Sequence, residues 1–186
     1  FISANNTAAG GGLTTTGITT TGANKGQGGN VTLSALGAVS TTNSNITTTG
    51  GNGIGSTGRN AGTVTITGGG VNLGAGTITA SGGNGNGANQ AGGNGGAIAL
   101  TSTGVITASA ITANGGNGVA GNAAGGNAGS ITLDAGGATP NINLGGNITA
   151  TGGNRSGAGI AGTGGAFWAK DATTNTPKFY TLLNLW

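Results

Sequence analysis

A unit of about 33 residues recurs at least four times along this chain, and repetition at that length marks a stacked architecture in which each unit buries its apolar face against the next. The unit opens on a short apolar stretch: GGNVTL from Gly28 to Leu33, AGTVTI from Ala61 to Ile66, GGAIAL from Gly95 to Leu100 and AGSITL from Ala128 to Leu133. It closes on NITTTGGNG from Asn45, TITASGGNG from Thr77, AITANGGNG from Ala110 and NITATGGN from Asn147, with a partial copy, GITTTGAN, from Gly17. Between opening and ending lies a third apolar point, at Val39, Val71, Val105 and Ile142.

The openings alternate, with Val31 and Leu33, Val64 and Ile66, Ile98 and Leu100, Ile131 and Leu133 separated by Thr32, Thr65, Ala99 and Thr132. Period two describes a strand with one buried face. The middle segment repeats the pattern in Val71-Asn72-Leu73 and Ile142-Asn143-Leu144, whereas Val105-Ile106-Thr107 leaves open which side chain points inward. Each closing strand buries one isoleucine: Ile46, Ile78, Ile111, Ile148. Antiparallel hairpins would need Asn-Gly turns directly between paired strands, which this spacing does not supply. Glycine and β-branched residues dominate and no 3.6-residue stripe appears, which rules out helices. The reading is an all-β parallel β-helix or solenoid of about 33 residues per coil with long Gly/Asn-rich loops, spanning residues 1–165, followed by an aromatic cap or interaction tail over 166–186.

The loops are the unusual part, because 47 glycines among 186 residues with only 4% charged residues fit no ordinary globular composition. Disorder normally comes with high net charge and few β-branched residues, and here Ile, Val and Thr are regularly placed. Long structureless loops such as Gly82 to Gly96, Gly115 to Gly129 and Gly152 to Gly165 are rare in compact proteins. Stacking offers a remedy, since neighbouring loops can pair their backbone groups and asparagines can form ladders. Gly115, Gly118 and Gly121 keep a three-residue period suited to extended polyglycine-like strands, which the other loops do not visibly share.

Five cations and two anions give a net charge of +3. Lys25, Arg59, Arg155, Lys170 and Lys178 are scattered, whereas phosphate binding draws on clustered cations, so nucleic acid is not an expected partner. Arg59 and Arg155 both follow a closing strand and could share one face. No apolar run approaches the roughly 20 residues that cross a bilayer, and the absence of cysteine removes disulfides and thiol chemistry. GGNGNG from Gly82 is similar to calcium-binding β-roll phrases, but asparagine stands where aspartate ligands are needed. Asp134 and Asp171 are the only acids, fall in different repeats and make a poor carboxylate pair, and no histidine is present to activate a hydroxyl. A non-enzymatic protein without cofactor or metal is expected.

The phrases ITTTGGNG, GGNVTL and SITLDAGG resemble the repeats of filamentous-haemagglutinin-like bacterial exoproteins over roughly Gly17 to Gly165. The resemblance implies an extracellular or cell-surface β-helix with an adhesive or structural role, and brings no catalytic residues. Beginning at Phe1 rather than Met, the chain reads as a processed product or an excerpt of something longer. Three roles follow as expectations: a structural subunit or segment joining copies of itself head to tail into a filament or surface fibre, an adhesin-type module contacting glycans or a host surface, and an ice-binding solenoid drawing on the threonine clusters TTTGITTT from Thr14 and ITTT from Ile46. The clusters thin to Thr79, Thr112 and Thr149 in later units, which favours threonine as a plain strand former. The assembly surfaces expected for the first role are Phe1 and Ile2 at one end and, at the other, Phe167, Trp168, Phe179, Tyr180, Leu182, Leu183, Leu185 and Trp186. Phe167 takes the place held by Val31, Val64, Ile98 and Ile131.

Overall fold

The computed structural model describes residues 1–138, 140–171 and 178–181, with side chains to residue 171. The described residues form strands, turns and extended segments without helix, wound into a parallel solenoid whose coils contribute one strand to each of three sheets. The opening sheet runs β1 (Ile2–Asn6), β4 (Val31–Ala35), β7 (Val64–Gly68), β10 (Ile98–Ser102), β13 (Ile131–Ala135) and β16 (Ala166–Asp171), with β17 (Lys178–Thr181) at its far edge. The middle sheet runs β2 (Leu13–Thr14), β5 (Ala38–Ser40), β8 (Gly70–Asn72), β11 (Val105–Ala108) and β14 (Asn141–Leu144). The closing sheet is β3 (Ile18–Thr19), β6 (Ile46–Thr47), β9 (Ile78–Thr79), β12 (Ile111–Thr112) and β15 (Ile148–Thr149).

Like stacks on like. Val31, Val64, Ile98 and Ile131 form one column in strict register and Leu33, Ile66, Leu100 and Leu133 a second, all buried. Ile18, Ile46, Ile78, Ile111 and Ile148 form the closing column, in which only the terminal Ile148 is half-buried. The middle column is Leu13, Val39, Val71, Ile106 and Ile142. Ile106 is fully buried and Val105 is exposed, so the third apolar point of that repeat is Ile106 and not Val105. With two adjacent apolar residues, the pleat decides: only one can share the parity of Val71 and Ile142.

A second core lies beside the first and contains almost no side chains. In the closing strands the hydrogen bonds between coils recur every second residue, from the N–H of Ile46, Thr48 and Gly50 to the carbonyls of Thr77, Thr79 and Ser81. Beyond Gly50 the interval becomes three, Gly53 donating to Asn84, and likewise Gly82 to Asn114 and Gly85 to Asn117, Gly115 to Thr151 and Gly118 to Asn154. The returning run keeps three as well, through Gly92, Gly95 and Ile98. Three residues per turn is the geometry of the left-handed extended helix, whose backbone groups all point outward to neighbours. Outgoing and returning runs are laced together by an unbroken zigzag of eight bonds at 2.8–3.0 Å: Gly51 donates to Gly26, Arg59 to Gly51, Gly83 to Arg59, Gly93 to Gly83, Gly116 to Gly93, Gly126 to Gly116, Gly153 to Gly126 and Gly162 to Gly153.

This packing demands glycine. A Cβ on Gly83 would collide with the carbonyl of Gly51, one on Gly116 with that of Gly83, and one on Gly153 with that of Gly116. The three-residue period therefore belongs to every long loop, not only to the stretch around Gly115. On the outer side of each run an asparagine at one of these third positions serves the third backbone direction. Its Oδ1 accepts the N–H of the equivalent residue one coil on: Asn52 from Asn84, Asn84 from Asn117 and Asn117 from Asn154, all at 2.8 Å. On the return run Asn60, Asn94 and Asn127 accept from Asn94, Asn127 and Thr163 at 2.8–3.0 Å. The glycine runs thus find backbone partners in three directions, which is what lets about a dozen residues with few buried side chains stay ordered inside a compact fold.

Candidate functional site

The surfaces available for function are the two ends of the stack and its outer faces. At the amino end β1 is an edge strand, paired only with β4. Ile2 shares the register of the buried Val31 yet is 38% exposed, because no coil covers it, and Phe1 is 82% exposed. Beneath it the column continues into Ile18, Val31 and Val39, all buried. The amino end is therefore a cross-section of the core with an apolar rim.

The carboxyl end is built differently. Phe167 sits in register with Ile131 and is half-buried against the core, and Trp168, one pleat step away, is half-buried beside Thr132 on the outer face. Strand β17 then pairs with β16 antiparallel, matching Phe167 with Tyr180 and Trp168 with Phe179. The chain's own strand occupies the edge that a further parallel coil would use. The other two sheets end at β14 and β15, where Ile142, Leu144 and Ile148 remain half-buried. Leu182, Leu183, Leu185 and Trp186 lie outside the described residues, as do the side chains of Phe179 and Tyr180.

The outer face of the closing sheet is the most regular surface. Thr19, Thr47, Thr79, Thr112 and Thr149 lie in unbroken register across all five strands. Two residues on, Thr21, Thr49, Ser81, Asn114 and Thr151 form a parallel row, and the Thr49 hydroxyl donates to Thr21 Oγ1 at 3.1 Å. The residue between the rows turns inward: Thr48 is fully buried and donates to the Gly62 carbonyl at 2.9 Å, Thr20 donates to the Gly29 carbonyl at 2.5 Å, and later coils carry the buried Ala80, Ala113 and Ala150. The thinning of the threonine clusters along the sequence is thus a change at the inward position and, through Ser81 and Asn114, in the second outward row, while the first outward row stays complete.

The charged groups do not converge. Arg59 lies on the returning run of the second coil, at the position of Gly93 and Gly126, whereas Arg155 follows Asn154 on the outgoing run of the fifth and donates to the Gly159 carbonyl at 3.2 Å. They occupy different columns and share no face. Asp134 points outward and meets Lys170 of the next strand at 3.8 Å, while Asp171 falls in register with the buried Ala135. Alternation along the strand sets the two carboxylates on opposite faces of the sheet.

Sequence reasoning missed one set of residues. Ile54, Val119 and Ile160 are exposed at the tips where outgoing glycine runs turn into returning ones, and a hollow of about 670 Å³ opens beside Ile160 and Arg155. Their signal was present, as isolated β-branched residues inside glycine stretches that need none for packing. Comparison with protein-family models, with curated proteins and with solved structures finds no match to this chain.

Proposed function

We propose that this chain is a structural segment of an extracellular fibre, joined to further copies or coils through the ends of its solenoid. The observation that carries the reading is the coil-on-coil register, in which Ile2, Val31, Val64, Ile98 and Ile131 repeat one apolar position along the axis, a position that a further coil, of this chain or of a copy, would continue. The resemblance to filamentous-haemagglutinin-like exoproteins supports an extracellular setting, and a surface with 4% charged residues offers little repulsion to close stacking. Since β17 occupies the edge of β16, contact at the other end falls to the open edges of β14 and β15 and to the aromatic tail.

Sedimentation and negative-stain microscopy of the full chain test this. Filaments or end-to-end oligomers that lengthen with concentration are expected, and Ile2→Lys is expected to abolish them with an unchanged far-UV spectrum. A full-length protein that stays monomeric at high concentration, or an I2K variant that assembles normally, would sink the reading. Removing residues 179–186 separates two roles for the tail: lost assembly means that it is the contact, and increased association means that it is a cap. The rival reading, an adhesin-type module for glycans or a host surface, is favoured by the exposed Ile54, Val119 and Ile160 at the loop tips.

A further inference from the structure

The outer face of the closing sheet carries a regularity that strand stability does not require. The row Thr19, Thr47, Thr79, Thr112, Thr149 holds the same residue in all five coils, and the row beside it holds Thr, Thr, Ser, Asn, Thr. The equivalent rows of the opening sheet are broken by Ala99, Asp134, Trp168 and Lys170. If threonine were present only as a strand former, it would be no more constant on one face than on another. Among the described residues, none of the five hydroxyls in the first row is engaged by another protein group in the bonds that fix Thr20 and Thr48 inside.

Strand stacking spaces these hydroxyls about 4.8 Å apart across the coils, and the pleat spaces the two rows about 6.7 Å apart. β-branching restricts the threonines to few rotamers, so along the first row hydroxyl and methyl repeat in the same attitude. The result is an uncharged two-row array, with a complete threonine row beside one in which Ser81 and Asn114 interrupt the methyls, spaced close to the oxygen rows on a prism face of ice. We propose that this face adsorbs to ice, holding first-layer water in lattice positions by its hydroxyls and enclosing it with its methyls. The face presents no aromatic ring on which a sugar could stack, which disfavours a crystalline polysaccharide as its occupant. The proposal is independent of the fibre reading, since the ends of the stack take no part in it.

The test uses the purified full chain with ice itself as the probe, following recrystallisation in frozen sucrose and the shape of a single crystal held just below melting. Suppressed recrystallisation and faceted crystals are expected. Thr112→Tyr, inside the grid, should raise the concentration needed by about tenfold or more, while Thr65→Tyr on the opening sheet should leave it unchanged. Should T112Y lower the melting temperature, Thr79→Lys gives a second reading of the same face. Wild-type protein indistinguishable from buffer, or T112Y and T79K as active as wild type, would overturn the proposal. So would adsorption to microcrystalline cellulose or chitin that T112Y removes in the absence of any effect on ice.

Discussion

Replacing Gly116 by alanine asks whether the glycine section is a true core or a decorated loop. The new Cβ would overlap the Gly83 carbonyl, and the outgoing runs at this position carry Gly51, Gly83, Gly116 and Gly153 in the second to fifth coils, with Ala23 in the first. Gly116 donates to Gly93 at 2.8 Å and accepts from Gly126 at 2.8 Å, so a backbone shift large enough to seat a methyl weakens both bonds. Two hydrogen bonds at about 1 kcal/mol each and an overpacking cost of about 1–3 kcal/mol give a loss of about 3–5 kcal/mol. For a chain of this size that lowers the melting temperature by roughly 10 °C. Gly70 is the control, because an added Cβ there meets nothing closer than 3.8 Å and the same register position already carries Ala38. Thermal melts followed by far-UV dichroism should separate the two variants, and hydrogen exchange should localise the damage in G116A to the amides of Gly116, Gly126 and their neighbours. Equal melting temperatures for G116A and G70A would refute the close-packed account of the loops.

Ile111 is fully buried between Ile78 and Ile148, so Ile111→Asp leaves an unpaired carboxylate in the column; a cost of several kcal/mol should unfold at least that coil, and a melting curve superimposable on wild type would contradict the assignment. Asn84→Ala removes the acceptor of the Asn117 N–H on an exposed rung; about 1 kcal/mol and faster exchange at Asn117 are expected, whereas Asn84→Asp, which keeps the oxygen, should retain most of the protection. Asp134→Asn breaks an ion pair at 3.8 Å whose side chains are 33% and 37% exposed, so stability should change by no more than about 1 kcal/mol; a larger loss, or a melting temperature lowered by chelators, would revive a calcium site there.

The strands were legible because their information is carried by side chains of alternating polarity. Val31 with Leu33 and Ile131 with Leu133 announce both the buried face and the register, and the repeat announces the stacking. Legibility fails where polarity does not alternate. Val105 and Ile106 are both apolar, and only the register against Val71 and Ile142 selects Ile106. In the glycine runs the informative residue is the one with nothing to read. Their three-residue period is marked by asparagines such as Asn84, Asn94 and Asn117, and is blurred by Arg59 and Ala128 at positions held elsewhere by glycine. The outward threonine row was hidden for the opposite reason, since Thr20 and Thr48 inside and Thr21 and Thr49 beside the row gave the early clusters a richness that later coils drop while the row itself persists.

The stack is polar along its axis. Backbone bonds between coils run in both senses, Ile46 donating to Thr77 of the next coil and Thr103 to Gly68 of the previous one, whereas each ladder asparagine Oδ1 takes its N–H from the next coil. A further parallel coil continues both the ladder and this asparagine sense only when the two stacks run the same way along the axis. On the proposed fibre reading, stacks joined head to tail make a heterologous contact, and one that does not close on itself propagates as a filament. Association is then governed by whichever end is covered. The antiparallel β17 covers one edge of one sheet at the carboxyl end, and the amino end carries only Phe1 and Ile2 above its column. That asymmetry is why a single charge at Ile2 tests the fibre reading more sharply than any substitution along the faces, and why the threonine grid, which runs the length of the rod, would survive assembly intact.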